Sequence, residues 1–245
     1  MRFLVKASVA VALSALVLPL MAPVVRASDG FTARLETALN GEDAKALDAL
    51  VDPASLPDLS GRLNRFKQEF PDARWTVRSV SGEASGRQTL EVTVRGERQS
   101  DGLTYRLEGS QRMAVRVEAD RLMAEELLAE QTLLRSGETS LPISLAIPDA
   151  VLTGSRYDVD VIVDEPLGQA VVAGGLLSLT PDQVEQQISP NLSLEPLGGG
   201  GLFKTVQAPQ RPGVQNWAAM LVHPDGVVTV TKRVRVVSER RELAR

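Results

Sequence analysis

Between Arg74 and Arg135 apolar and polar residues alternate for so long that an antiparallel meander is the reading that fits. Leu90, Val92 and Val94 take even positions, with Thr89, Glu91, Thr93 and Arg95 between them. Leu103, Tyr105 and Leu107, then Met113, Val115 and Val117, take odd positions. Parity survives from Leu103 to Val117, so one face of a single long strand can stay on one core. The expected strands are Arg74 to Ser81, Gln88 to Glu97 and Leu103 to Glu118, with turns at Gly82 to Gly86, at Gln99 to Gly102 and at Ala119-Asp120. Gly109 marks a bend or bulge in the long strand. Arg121 to Arg135 is the contested segment. Its Glu125 to Glu130 are good helix formers, but the tight connection from the preceding strand argues for a hairpin partner, and strand is the expectation. Leu127 and Leu128 are adjacent, as are Leu133 and Leu134. A strand covered on both faces, or one with a bulge, accommodates both pairs.

The residues before the meander have helical spacing. Phe31, Leu35 and Leu39 form one stripe, stopped by Asn40-Gly41. Asp43 is placed to cap a second helix carrying Ala44, Leu47, Leu50 and Val51, which Pro53 ends. Leu59, Leu63, Phe66 and Phe70 form a third stripe, which Pro71 ends. Each helix needs a surface to lie on, and the sheet follows at once.

Three short helices followed by a curved meander resemble the SnoaL-like, or nuclear-transport-factor-two-like, α+β cone superfamily. The segment from Ala38 through Asn40-Gly41-Glu42-Asp43 to Val51 is similar to that superfamily's usual opening. The resemblance spans about Phe31 to Ser136. It implies three helices on a curved antiparallel sheet enclosing a pocket, and a homodimer through the convex face of the cone sheet. With odd residues of the long strand turned inward, Tyr105, Gln111 and Met113 line that cavity with Trp75. Glu125 joins them if Met123 and Leu127 point the same way. A superfamily member doing acid–base chemistry needs an ionisable group there, raised in pKa by burial. No acid–base pair stands at a spacing that forces convergence, so no catalytic residue is assigned.

After Ser136 to Ser140 the pattern changes to short strands with many Pro and Gly turns. Ile143, Leu145 and Ile147 alternate between Pro142 and Pro148, and Tyr157, Val159, Val161 and Val163 alternate with Asp158, Asp160, Ile162 and Asp164. Gln169 to Leu179 is a further apolar run, and Thr180-Pro181-Asp182-Gln183 is a helix start. Leu192 to Pro196 and Leu202 to Gln207 flank Gly198 to Gly201. Asn216 to Val222 and Val227 to Val237 form a hairpin about His223-Pro224-Asp225-Gly226. Seven candidate strands at this spacing resemble an immunoglobulin-like or fibronectin-like β-sandwich. The expected organisation is a signal peptide at 1–27, the cone domain at 28–138, the sandwich domain at 139–238 and a disordered charged tail at 239–245.

Composition narrows the compartment. Arg2 and Lys6, the apolar Val9 to Met21 and the small residues flanking Arg26 read as a cleavable secretory signal. The apolar run is short and followed by Pro23, so no stable membrane insertion is expected after cleavage. The chain has no cysteine, which excludes disulfides and thiolate metal sites. Losing Arg2, Lys6 and Arg26 takes the formal charge from −4 to −7, which gives no electrostatic reason to expect nucleic-acid binding.

Other suggestive residues reduce to structural roles. Asp158, Asp160 and Asp164 share one strand face, but residues two apart on a strand stand about 7 Å apart, too far to share an ion without a loop folding over. They read as an outward polar face. His223 sits at a hairpin tip built by turn residues. The four glycines lack a following Lys-Ser or Lys-Thr, so they are a connector and not a phosphate loop. Asn191-Leu192-Ser193 fits a glycosylation acceptor. Arg106, Arg112 and Arg116, balanced by Glu97, Glu108 and Glu118, read as cross-strand pairs. No metal and no cofactor is expected. The reading is an exported, non-enzymatic binding or interaction protein of the bacterial cell envelope, in the periplasm or outside the cell. Its partner is a protein or a small apolar molecule held in the cone pocket. The alternative is a pocket enzyme of isomerase or cyclase type.

Overall fold

The structure is a computed structural model and describes residues 29–43, 45–80, 88–137, 141–165, 170–186 and 190–244. The expected signal segment lies outside the described residues. Three helices come first: α1 (Asp29–Asn40), α2 (Ala46–Leu50) and α3 (Leu59–Glu69). The apolar stripes read from the sequence are what they bury, with Phe31, Leu35 and Leu39 from α1, Leu47 from α2 and Leu63 from α3 all in the core. Gly41 N–H closes α1 on Thr37 O at 2.8 Å. Asp43 does not cap α2 directly. Its carboxylate accepts from Lys45 N–H at 2.9 Å, and the helix begins one residue later.

The strands are β1 (Arg74–Val80), β2 (Gln88–Ser100), β3 (Leu103–Glu118), β4 (Arg121–Gly137), β5 (Ile143–Ala146), β6 (Ala150–Leu152), β7 (Arg156–Val163), β8 (Ala173–Leu179), β9 (Glu195–Pro196), β10 (Gly201–Gln207), β11 (Gly213–His223) and β12 (Gly226–Val237). One short helix, α4 (Pro181–Glu185), starts where Thr180-Pro181-Asp182-Gln183 predicts, and Thr180 and Gln183 close a capping box there. The meander's two tight turns put both central residues in the left-handed region: Asp101 and Gly102 at φ 53° and 74°, Ala119 and Asp120 at φ 46° and 65°. That geometry matches the twist of the flanking strands.

The expected architecture of an α+β cone followed by an immunoglobulin-like sandwich is overturned. The chain is mostly β, 55% strand against 18% helix, with four short helices and one large antiparallel sheet. Hydrogen bonding in that sheet runs β1-β2-β3-β4-β12-β11-β8-β9, with β6 joined in parallel to β12. The physical reason lies in β4. Its Glu130–Gly137 half pairs in unbroken register with Arg233–Gly226 of β12. The sheet therefore does not end with the meander, and β12 belongs to no sandwich confined to the second half. β3 and β4 have 16 and 17 residues, each roughly 50 Å of strand.

The contested segment is strand throughout. Leu122, Leu128 and Leu134 are buried at even positions and Leu127 and Leu133 at odd ones, so β4 is covered on both faces. β3 runs through Gly109 without interruption.

Two compact units divide the chain, and the division falls inside β2, β3 and β4. One unit takes the described residues up to Arg98 with Glu108–Leu128; the other takes Gln99–Leu107 and everything from Ala129 onward. In the first, α1 lies along β1 and guards its backbone with side chains. Asn40 donates to Trp75 O and accepts from Trp75 N–H, both at 2.9 Å, and Glu36 accepts from Val77 N–H at 2.8 Å. Arg34 clasps both carboxylate oxygens of Asp120 in the β3–β4 turn.

In the second unit a three-stranded sheet, β10-β7-β5, faces β11 and β12. Tyr157, Val159, Val161 and Val163 of β7 share a core with Trp217, Ala219 and Leu221 of β11, Val228, Val230, Val234 and Val236 of β12 and Leu133 of β4. The charged tail expected to be disordered carries a 3-10 turn, Arg240–Glu242, held where Arg235 donates to Glu242 O at 3.0 Å.

Candidate functional site

The residues expected to line a cavity are divided between the units. Trp75 on β1, with Gln111 and Met113 on β3, belong to the first unit, and Tyr105 on β3 to the second. Met113 is buried, and Gln111 and Tyr105 are half-buried. Trp75 is half-buried and packs edge-on against Phe66, with ring centroids 5.1 Å apart. Lys67 lies 5.7 Å from the Trp75 ring centroid, and its ammonium donates to Gly41 O. Burial, with Arg74 nearby, holds the Lys67 pKa below the ordinary lysine value. Glu125 lies within β4; its side chain is outside the described set. Trp75 and Lys67 thus fasten α3 to β1.

Asp158 and Asp160 face outward, as their alternation with buried Tyr157, Val159 and Val161 requires. Among the described residues no group of three or more His, Cys, Asp and Glu could hold a metal ion. Instead the two carboxylates tie β7 to β10. Thr205 Oγ1 donates to Asp158 Oδ1 at 2.8 Å, and Lys204 N–H donates to Asp160 Oδ1 at 3.2 Å. His223 closes its own hairpin, its Nδ1 accepting from Asp225 N–H at 3.2 Å. Of the arginines read as cross-strand pairs, Arg116 meets Glu118 of its own strand at 3.4 Å, while Arg106 donates to Gly137 O at 3.3 Å.

The surface that sequence reasoning missed is the outer face of the three-stranded sheet. The antiparallel register sets Phe203 opposite Asp160, Thr205 opposite Asp158 and Gly201 opposite Ile162. Opposed residues share a face, so Phe203 stands outward with the two carboxylates. It is 62% exposed. The neighbours on its own strand turn the other way: Leu202 and Val206 pack on the core, and Lys204 places its ammonium 5.5 Å from the Trp217 ring centroid. The signal was available in the alternation of Leu202, Lys204 and Val206, which puts Phe203 on the opposite side. It was hidden because Lys204 reads as the exposed residue and Phe203 as the buried one.

Behind this face the core is fixed by a buried polar relay. Trp217 Nε1 donates to Tyr157 Oη at 3.0 Å, and Tyr157 Oη donates to Gln215 Oε1 at 2.8 Å. Burial raises the Tyr157 pKa above its ordinary value, opposed in part by the Trp217 hydrogen bond. Lys232, on the core-facing side of β12, is buried and paired with Asp149.

A family model described as a domain of unknown function, DUF8623, matches residues 138–237. That span contains β5 to β12, and with them the whole Phe203 face. No curated protein matches the chain.

Proposed function

We propose that this is an exported, non-enzymatic binding protein whose docking surface is the outer face of the β10-β7-β5 sheet. The observation that carries the reading is Phe203, a large aromatic side chain 62% exposed on a terminal strand. Leaving such a group in water forgoes roughly 2 kcal/mol of burial, and aromatic residues are enriched where partners dock. The export part of the reading is supported by the positive end, apolar run and small-residue cleavage pattern at 1–27. Affinity on such a face comes from burial and shape and needs no positioned titrating group.

A photo-cross-linking phenylalanine analogue placed at 203 in the full chain, in its native host, tests this. A discrete adduct in the envelope fraction is expected. None is expected from the same analogue at Arg95, whose side chain is 83% exposed. Equal labelling at both positions, or none at 203, removes the docking face. An adduct found only in the cytoplasm removes export.

A further inference from the structure

Every open sheet ends in strands whose outer backbone groups are a template for another strand, and proteins guard such edges. Among the described residues the two sheets end in β1, β9, β5 and β10, and β6, three residues long, pairs with β12 alone. Of the four sheet ends, three are guarded. β1 has Glu36 and Asn40 of α1 bonded to its backbone. β9 is two residues long and includes Pro196. β5 has four residues and lies between Pro142 and Pro148. β10 is different. It has seven residues and no proline, and Phe203, Lys204, Thr205 and Gln207 are exposed.

The charge beside that edge is one-sided. On the outer face Phe203 and Thr205 stand next to Asp160 and Asp158, and the exposed Asp164 and Glu165 follow β7. Lys204 turns inward to Trp217. The register puts one cation on this face, Arg156, at the far end opposite Gln207. An aromatic ring with carboxylates behind it suits a guanidinium or ammonium, which gains from the ring face and from the charge together. A second copy of this chain brings the same carboxylates to the same edge, so charge disfavours self-docking.

We infer that β10 accepts an extended segment of a partner protein as an added strand, and that this segment carries arginine or lysine on the side it shares with Phe203. The inference rests on the docking face proposed above. Main-chain hydrogen bonds supply the affinity of an added strand, and the alternate side chains its specificity.

The probes are two terminally blocked heptapeptides, one alternating arginine with valine and one alternating glutamate with valine, titrated against the full mature chain. The arginine peptide is expected to bind about tenfold or more tightly than the glutamate peptide at low salt, with the preference shrinking as salt rises. Bound arginine peptide is expected to slow amide exchange across β10. Replacing both carboxylates, Asp158→Asn with Asp160→Asn, keeps the acceptors for Thr205 and Lys204 and is expected to lose most of the preference. Phe203→Ser is expected to weaken both peptides. Equal binding of the two peptides, still weakened by Phe203→Ser, overturns the basic partner and leaves the docking face standing. Binding without slowed exchange in β10 overturns the added strand. If neither peptide binds while the 203 cross-link persists, this inference fails alone; if the cross-link fails too, both readings fall.

Discussion

Tyr157 shows how much one side chain can hold. It is buried between the two sheets of its unit and sits in the middle of a relay, accepting from Trp217 Nε1 and donating to Gln215. Removing the hydroxyl leaves the indole N–H of a buried tryptophan without its acceptor. Tyr157→Phe is therefore expected to cost about 1–3 kcal/mol in urea denaturation. The pH dependence has a definite sign. Burial raises the folded-state pKa above the ordinary tyrosine value, so the phenolate forms more readily in the unfolded chain. The contribution of Tyr157 is thus fully present below about pH 10 and is lost as pH rises through the folded-state value. Tyr157→Phe should remove that alkaline loss as well as lowering stability at neutral pH. A variant with unchanged stability and an unchanged alkaline limb would show that the relay is not a stabilising feature.

At the scale of elements, β1 is the edge where the sequence was least informative. Nothing in the pattern of Asn40-Gly41 beyond a helix stop foretells that Asn40 folds back onto Trp75, because that contact joins residues 35 apart. Asn40→Ala removes two hydrogen bonds to β1 backbone and is expected to cost about 1–2 kcal/mol. It also uncovers strand edge, so light scattering should show association that grows with protein concentration. A destabilised but strictly monomeric variant would mean that Glu36 on Val77 N–H, with the packing of Phe31 and Leu35, is enough to keep the edge closed. The elements that were legible were those set by local chemistry: the helix stops at Gly41, Pro53 and Pro71, the helix start at Thr180 and the strand period; the turn expected over Gln99 to Gly102 tightens to Asp101-Gly102, with β2 running on to Ser100. β4 was legible because a two-residue turn after β3 outweighs the helix propensity of Glu125 to Glu130. The partner of its far edge was not, since alternation says which face is buried and never which strand lies alongside. That the residues expected around one cavity fall in two compact units, Tyr105 in one and Trp75 in the other, was hidden for a related reason. Parity put those residues on one face of their strands, but no local pattern reports where along a 16-residue strand one compact unit gives way to the next.

For the whole molecule, the question is where a piece can be cut and still fold. The change of pattern near Ser136 to Ser140 invites a cut there, and the DUF8623 match, 138–237, begins at the same place. Yet β12 takes its hydrogen-bonding partner on one side from Glu130–Gly137 of β4, and Leu133 of that segment is part of the same core as Val228 and Val230. The join is close at its tip, where Gly137 faces Gly226: a Cβ added at Gly137 would meet Asp225 O at 2.2 Å. A fragment of residues 139–238 therefore loses a full neighbour from a strand that is interior in the intact chain. It exposes the apolar edge of β12 and leaves Val228 and Val230 without Leu133. We predict that this fragment has a lower urea midpoint than the corresponding transition of the full chain, or associates through β12. Restoring β4 should reverse this: a fragment beginning at Gly102 and running to the end of the chain keeps β3 and β4, and its core around Val228 and Val230 is expected to have a higher urea midpoint than the 139–238 fragment. The comparison is three denaturation curves, one each for the full chain and the two fragments, with sedimentation of both fragments. If the 139–238 fragment is monomeric and matches the full-chain midpoint, β4 is dispensable to that core, and the match boundary is also a folding boundary. If the longer fragment is no better than the shorter, the pairing of β4 with β12 does not supply the missing stability, and the rest of the meander is needed to hold β4 in place.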